Sequence, residues 1–171
     1  MANSIGVFLG YGNGTFSNQT AYSTTKDSAP YDVVVGDLNN DAQLDIVAAL
    51  KMAYGVVVFL GAGDGTFSRQ LTYSAGDASL PYACVLGDVN NDNCLDIVVR
   101  DSVTSNMVVL LGDGHGSFFN RISYSAGTNS ESTSITLDDF DNNHILDIVV
   151  ANSDSNTIGV FLGFTYITGV R

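Results

Sequence analysis

The sequence has few basic residues, few cysteines and prolines, and no tryptophan. Its 171 residues carry 6 Lys and Arg against 18 Asp and Glu, a formal charge of −12 with the histidines neutral. Nucleic-acid binding depends on clustered basic side chains, so this balance argues against a nucleic-acid partner. Charged residues make up 14% and hydrophobic residues 45%, which leaves enough apolar material for a packed core and excludes a disordered chain.

Long apolar runs are also missing. The longest, such as Val56–Leu60, have the length of a strand, whereas a membrane-spanning helix needs about 18 to 20 apolar residues. We therefore expect no membrane span. The first residues, Met1–Ser4, do not place a basic stretch before an apolar one, so no signal peptide is expected in this sequence.

Two cysteines are too few for a disulfide scaffold. Cys84 and Cys94 are separated by a predicted strand and loop, and they could pair only if their Cα atoms came within about 6 Å. We expect two partly buried thiols.

An internal repeat of 51 residues is the strongest pattern that is present. An acidic segment and a glycine-rich segment share this period without insertions. The acidic segment occupies Asp37–Val47, Asp88–Val98 and Asp139–Val149, and the glycine-rich segment occupies Gly12–Phe16, Gly63–Phe67 and Gly114–Phe118. Repeats of this length that are rich in β-branched residues and glycine turns favour propeller blades or a β-solenoid.

Each repeat contains four candidate strands, and no segment has the apolar periodicity of an amphipathic helix. In the first repeat they are Asp32–Gly36, Leu44–Ala49, Gly55–Leu60 and Gln70–Ser74. Four antiparallel strands make one propeller blade, so we predict an all-β fold of 51-residue blades, about three per chain. Within this single repeat domain (1–171), residues 1–30 form strands 3 and 4 of a preceding blade, 31–81 blade 1, 82–132 blade 2, and 133–171 an incomplete blade 3.

The two ends of the sequence repeat each other. Asn3–Gly10 matches Asn156–Gly163 at a shift of three periods. Closed propellers usually have about 4 to 8 blades, and a lone copy would expose unpaired strand edges. We therefore expect a homo-oligomer, most simply a dimer that closes a ring of about six blades, although a segment of a longer array would have the same ends.

The acidic segment has metal-ligand spacing, with oxygen-bearing side chains at loop positions 1, 3, 5 and 9. Nine of the eighteen acidic residues lie at these positions. Three carboxylates around one point repel each other, and a dication turns this repulsion into attraction. Ca²⁺ accepts 6 to 8 oxygens in flexible geometry, whereas Mg²⁺ requires a tight octahedron, so we predict up to three Ca²⁺ ions per chain. The predicted ligands, with the carbonyl at position 7 included, are Asp37, Asn39, Asp41, Gln43 and Asp45; Asp88, Asn90, Asp92, Cys94 and Asp96; and Asp139, Asp141, Asn143, Ile145 and Asp147.

The alternative is that these residues only form turns, because Asp and Asn side chains readily cap their own backbone. Turn propensity does not explain the fixed spacing or the aspartate at position 9.

Together, the acidic pattern ending in Asp-Ile-Val and the Phe-Leu-Gly-x-Gly-x-Gly-Thr-Phe pattern resemble the FG-GAP and VCBS repeats of integrin α-subunit propellers. This resemblance implies Ca²⁺ binding by the acidic loop and a location outside the cell or at its surface. The family usually has glycine at loop position 6, where this sequence has Ala42, Asn93 and His144. Because Ala and His tolerate a left-handed backbone poorly, we expect the first and third sites to be strained or weaker. The third loop also has Asp138 in place of Gly36 and Gly87, and Asn143 in place of an aspartate, so we expect the third site to be the one most readily left empty.

We expect a calcium-binding β-propeller module for protein or cell-surface binding and adhesion, in which the metal is structural and no catalytic residues are present. One alternative is a multivalent, lectin-like module that binds glycans. The other is a metal-dependent hydrolase, which the identical loops argue against because an enzyme needs one distinct site.

Overall fold

The computed structural model describes residues 3–103, 106–125 and 132–163. The regular secondary structure in these ranges consists of β-strands. No described segment is a helix with the length and apolarity to cross a membrane. The strands are β1 Ser4–Val7, β2 Thr20–Ser23, β3 Pro30–Gly36, β4 Asp45–Leu50, β5 Gly55–Gly61, β6 Phe67–Ser74, β7 Pro81–Gly87, β8 Asp96–Asp101, β9 Asn106–Gly112, β10 Phe118–Ser125, β11 Ser132–Asp138, β12 Asp147–Asn152 and β13 Thr157–Phe161.

The strands form antiparallel sheets in which each strand pairs with the next one along the chain. Strands β3 to β6 make one four-stranded sheet and β7 to β10 a second. Strands β11 to β13 make a three-stranded sheet, and β1 pairs with β2. The predicted all-β fold of repeated propeller-type blades is therefore confirmed.

The four strands predicted in the first repeat are also confirmed, with small differences at their ends. The last strand begins at Phe67 instead of Gln70, because Phe67 pairs with Gly61 across a register shift. The aromatic residue that ends the glycine-rich segment differs in burial between repeats, since Phe118 is buried and Phe16 is exposed.

The second strand of each four-stranded sheet is buried on both faces. Every residue of Asp45–Leu50 is buried. Alternate side chains point to opposite faces, so Val47 packs in a cluster with Ile97 of the next sheet, while Ala48 packs toward Val7 of the preceding hairpin. The sheets thus stack face to face through continuous apolar strands, and each fully buried Val or Ile contributes about 1.5–3 kcal/mol.

Aromatic residues connect neighbouring sheets at the repeat period. The rings of Tyr73 and Phe118 lie edge to face with their centroids 5.2 Å apart, and those of Tyr22 and Phe67 are 5.1 Å apart. The Tyr73 hydroxyl also donates to the carbonyl of Gly116 at 3.3 Å. The repeated tyrosines therefore pack blades together.

Both cysteines are free thiols, as expected. Cys84 is buried and Cys94 is partly exposed. Burial raises the pKa of the Cys84 thiol to about 12, with a smaller contribution from the charge of Asp32.

Candidate metal centre

The three acidic loops occupy equivalent places, between the first and second strands of their sheets. Residues 37–44 join β3 to β4, 88–95 join β7 to β8, and 139–146 join β11 to β12. All fifteen predicted ligands lie in these loops or at the first residue of the following strand. Each predicted set is therefore brought together in one tight loop, while coordination itself stays a prediction.

The aspartate at position 9 is fully buried and connects the loop to the third strand. In the first loop, Asp45 accepts hydrogen bonds from the backbone amides of Leu38 and Gly61, both at 2.8 Å. Asp96 and Asp147 accept the equivalent pairs of bonds, at 2.7–3.0 Å. The loop and the end of the neighbouring strand are thus held by one carboxylate.

The aspartate at position 1 closes the loop from the other side. The two oxygens of Asp37 accept from the amides of Asp41 at 3.1 Å and Ala42 at 2.8 Å. Asp88 and Asp139 bind the amides at positions 5 and 6 of their own loops in the same way. Carboxylate oxygens from the two ends of the loop therefore turn toward its interior.

The side chains at positions 3 and 5 of each loop are hydrogen-bonded to each other. The Asn39 carbonyl oxygen accepts from the Asp41 amide, and the Asn39 amide group donates to the Asp41 carboxylate at 2.9 Å. The second loop repeats both contacts, and in the third loop the acid and amide exchange places, so that Asn143 donates to Asp141 at 3.1 Å. A side-chain oxygen is present at both positions in every loop.

The carbonyl at position 7 is predicted as the remaining ligand. Within the described part of the chain, the carbonyl oxygens of Gln43, Cys94 and Ile145 accept no hydrogen bond, whereas their amides donate to the side chain at position 5. These three oxygens are therefore available to a cation.

Each loop contains two residues in the left-handed backbone region. Position 4 is Asn40, Asn91 or Asn142, with φ of 59–60°. Position 6 has φ of 64° at Ala42, 64° at Asn93 and 66° at His144. The left-handed conformation expected at position 6 is confirmed, and alanine adopts it at a cost that glycine does not have.

Burial destabilises the anionic form of two of the position 9 aspartates, Asp45 and Asp96. Burial raises the pKa of Asp96 to about 6, while hydrogen bonds from the Gly112 and Val89 amides oppose the shift and the neighbouring Asp92 and Asp88 charges add to it. Burial also raises the pKa of Asp45. A bound dication would favour ionisation of both groups, so the donor set fits a hard cation.

The third loop brings its carboxylates closest together. Among the described residues, only Asp139, Asp141 and Asp147 form a group of at least three potential metal ligands with one oxygen each within 4.8 Å of one another. The first and second loops have asparagine at position 3 and the middle carboxylate at position 5, where it accepts a hydrogen bond from that asparagine. The expectation that the third site is the one most readily left empty stays untested. The closer carboxylates of the third loop favour the opposite, namely that this loop binds a cation more readily than the other two.

The acidic loops also contact the next sheet, which the sequence patterns did not predict. The Leu38 carbonyl accepts from the Gly116 amide at 3.0 Å, and the Asn40 amide group donates to the Gly114 carbonyl at 3.3 Å. The only signal in the sequence was that the glycine turn and the acidic loop share one period.

Comparison with known proteins identifies the repeat. A family model described as an FG-GAP-like repeat matches residues 2–48 and 43–99. The two matches together cover more than half of the chain and include the first two acidic loops. No curated protein matches the chain.

Proposed function

The chain belongs to the FG-GAP-like repeat family, and from this premise we propose that it is a calcium-binding β-propeller module that acts in protein or cell-surface binding and adhesion. Repeats of this family generally form binding modules, typically at the cell surface or outside the cell, and are typically non-catalytic. The calcium, the adhesive role and the extracellular location of this chain are the proposed parts.

The observation that supports calcium most directly is the recurrence of one loop geometry in three sheets. In every loop, a fully buried aspartate at position 9 and an aspartate at position 1 accept hydrogen bonds from backbone amides of that loop, and in the third loop Asp139, Asp141 and Asp147 each have an oxygen within 4.8 Å of the others. Side-chain oxygens at positions 3 and 5 and a carbonyl at position 7 complete a set of five residues. Ca²⁺ takes 6 to 8 oxygens, a number that bidentate carboxylates and water can supply around such a set.

The proposed role of the metal is structural and not catalytic. Three ions would reduce the formal charge from −12 to −6, and each would offset repulsion inside a loop that is fixed to its own sheet and, in the first repeat, to the next one. The three loops share one hydrogen-bonding pattern and differ in how closely their carboxylates approach. Such a repeated loop favours a structural role over the single distinct site of a hydrolase.

Calcium binding is tested by thermal unfolding with Ca²⁺, with Mg²⁺ and with a chelator, together with calorimetric titration of the metal-free protein. A ligand that binds only the folded state adds about 2.7 kcal/mol per site at 100 times its Kd. We expect the unfolding temperature to rise with millimolar Ca²⁺, to rise less with Mg²⁺, and to fall with the chelator. An unchanged midpoint and no binding heat would contradict the proposal.

We also propose that the protein self-associates, with a dimer that forms a ring of about six blades as the simplest arrangement. Strand β13 carries two exposed apolar side chains on one side, Ile158 and Val160, and the exposed Leu162 directly follows the strand. Such an apolar surface at the edge strand of a sheet favours association with another chain.

A further inference from the structure

A cluster of two tyrosines and a lysine lies at the end of the strands opposite the acidic loops. Tyr31 and Tyr82 are the second residues of β3 and β7, and Lys51 follows β4. The acidic loop begins six residues after each tyrosine, so an extended strand of about 20 Å separates the two regions. Because the Debye length in physiological salt is about 8 Å, the loop charges are largely screened at this distance.

The three side chains form a defined arrangement. The tyrosine ring centroids are 4.1 Å apart with planes inclined by 36°, and the two hydroxyl oxygens are 2.7 Å apart. The Lys51 ammonium lies 5.2 Å from the Tyr31 centroid and 5.6 Å from the Tyr82 centroid, within the range of cation–π attraction. The aromatic rings therefore hold the position of the ammonium.

The cation has no acidic partner although the protein is strongly acidic. No carboxylate among the described residues lies within 4.0 Å of the Lys51 ammonium, which contacts the two tyrosine rings. Its charge is therefore available to an external anion.

The cluster is also not part of the repeat. Position 51 is lysine in the first repeat, but the equivalent residues are Ser102 and Ser153, and the third equivalent of the tyrosines is Thr133. The two tyrosines occupy equivalent positions in neighbouring blades, but the lysine beside them is specific to the first repeat, so the repeat does not account for the cation. Tyr31 is 52% exposed, which leaves ring surface open to a ligand.

We propose that Tyr31, Tyr82 and Lys51 form a binding site for an acidic sugar, a pyranose that carries a carboxylate. The apolar face of the sugar would lie against the exposed Tyr31 ring, and its carboxylate would bind the Lys51 ammonium. A singly charged ligand suits one lysine in a protein of charge −12, whereas a phosphate dianion would meet stronger repulsion. This names a ligand class for the proposed binding module, and the site itself does not require calcium.

The test is an NMR titration of the full chain with glucuronic acid, glucose and inorganic phosphate in separate arms, with calcium present. We expect glucuronic acid to shift resonances with a Kd on the order of 1 mM and glucose to bind about tenfold more weakly. Lys51→Gln and Tyr31→Ser should each weaken glucuronic acid binding about tenfold. Lys26→Gln is the matched control, because Lys26 is exposed and lies near Asp27.

Three outcomes would overturn the assignment: no shift up to about 20 mM glucuronic acid, equal loss in the Lys26→Gln control, or preferential binding of phosphate. Thermal unfolding with and without Ca²⁺ is measured on the same samples. A protein that keeps its calcium response but does not bind glucuronic acid would reject this site and leave the proposed calcium module standing. A protein that binds glucuronic acid but shows no calcium response would support this site and reject the proposed calcium module.

Discussion

The hydrogen bonds of the aspartate at loop position 9 can be separated by mutation from the metal binding that we propose for it. Asp45 is fully buried and satisfies the amides of Leu38 and Gly61, so the fold needs it with or without a metal. Asp41 at position 5 is exposed, and its contacts are confined to its own loop. A purely structural role and a metal-binding role therefore predict different results for these two residues.

We predict that Asp45→Ala destabilises the calcium-free protein by about 2–4 kcal/mol, because the amides of Leu38 and Gly61 lose a buried acceptor. Asp41→Ala should cost less than about 1 kcal/mol in the same buffer. With saturating Ca²⁺, each variant should lose the stabilisation of one ion. Urea unfolding with and without Ca²⁺ measures these differences.

Asp64→Ala is the control for these variants, since Asp64 is an exposed turn aspartate that accepts from Thr66 outside the acidic loops. Its calcium response should equal that of the parent protein. If Asp41→Ala also kept the full response, the first loop would be a turn without a metal.

The left-handed residues at position 6 provide a second prediction. Ala42→Gly should stabilise the protein by about 1 kcal/mol, because glycine adopts a φ of 64° without the steric cost of a Cβ atom. Asn93→Gly should give a smaller gain, because asparagine already tolerates this region. Urea unfolding of both variants without Ca²⁺ tests the order, and an Ala42→Gly variant less stable than the parent would contradict it.

At the scale of elements, the sequence predicted most of the architecture because its signals are local. Short apolar runs such as Val56–Leu60 indicated strands, and the 51-residue period indicated equivalent sheets. Contacts between sheets were harder to predict. The stacking of Tyr31 on Tyr82 and the bond from Asn40 to Gly114 depend on how one sheet sits on the next, which no single repeat encodes.

The same reasoning applies to the acidic loops. Spacing was enough to predict which residues lie together, but it did not rank the three loops. The third loop has its acid at position 3, next to the aspartates at positions 1 and 9, and the result is the closest group of carboxylates. Composition alone counted three carboxylates in every loop and missed this difference.

The hydrogen bond from Tyr73 to Gly116 gives a prediction about how neighbouring sheets are connected. Tyr73→Phe should lower the free energy of unfolding by about 1 kcal/mol, because the Gly116 carbonyl loses a donor while the ring contact with Phe118 stays. Thermal or urea unfolding measures the loss. Tyr124→Phe is the control at the equivalent position, since Tyr124 is 42% exposed, and should change stability by less than about 0.5 kcal/mol. Equal losses in both variants would show that this contact does not stabilise the fold.

At the scale of the whole molecule, each sheet is stabilised mainly by its neighbours. Apolar clusters lie between the β1–β2 hairpin and the first four-stranded sheet, between the two four-stranded sheets, and between the second of these and the three-stranded sheet. In such a row, the free energy of unfolding is approximately the sum of a contribution from each sheet and a contribution from each interface between neighbours. A further interface would therefore increase it. The exposed apolar side chains Ile158 and Val160 of β13 provide one surface for such an interface.

Self-association is therefore expected to depend on β13. Light scattering at about 100 μM, a concentration at which a micromolar Kd leaves mostly dimer, should give twice the 18.0 kDa mass of the chain. Val160→Lys should shift the species to the single-chain mass, because a charge on the exposed face of β13 opposes burial against another chain. Val103→Lys is the control, since Val103 is equally exposed but lies outside the strands, and it should leave the mass unchanged. A parent protein that runs at 18.0 kDa under these conditions would rule out the proposed ring of two chains, and the exposed face of β13 would then need another explanation.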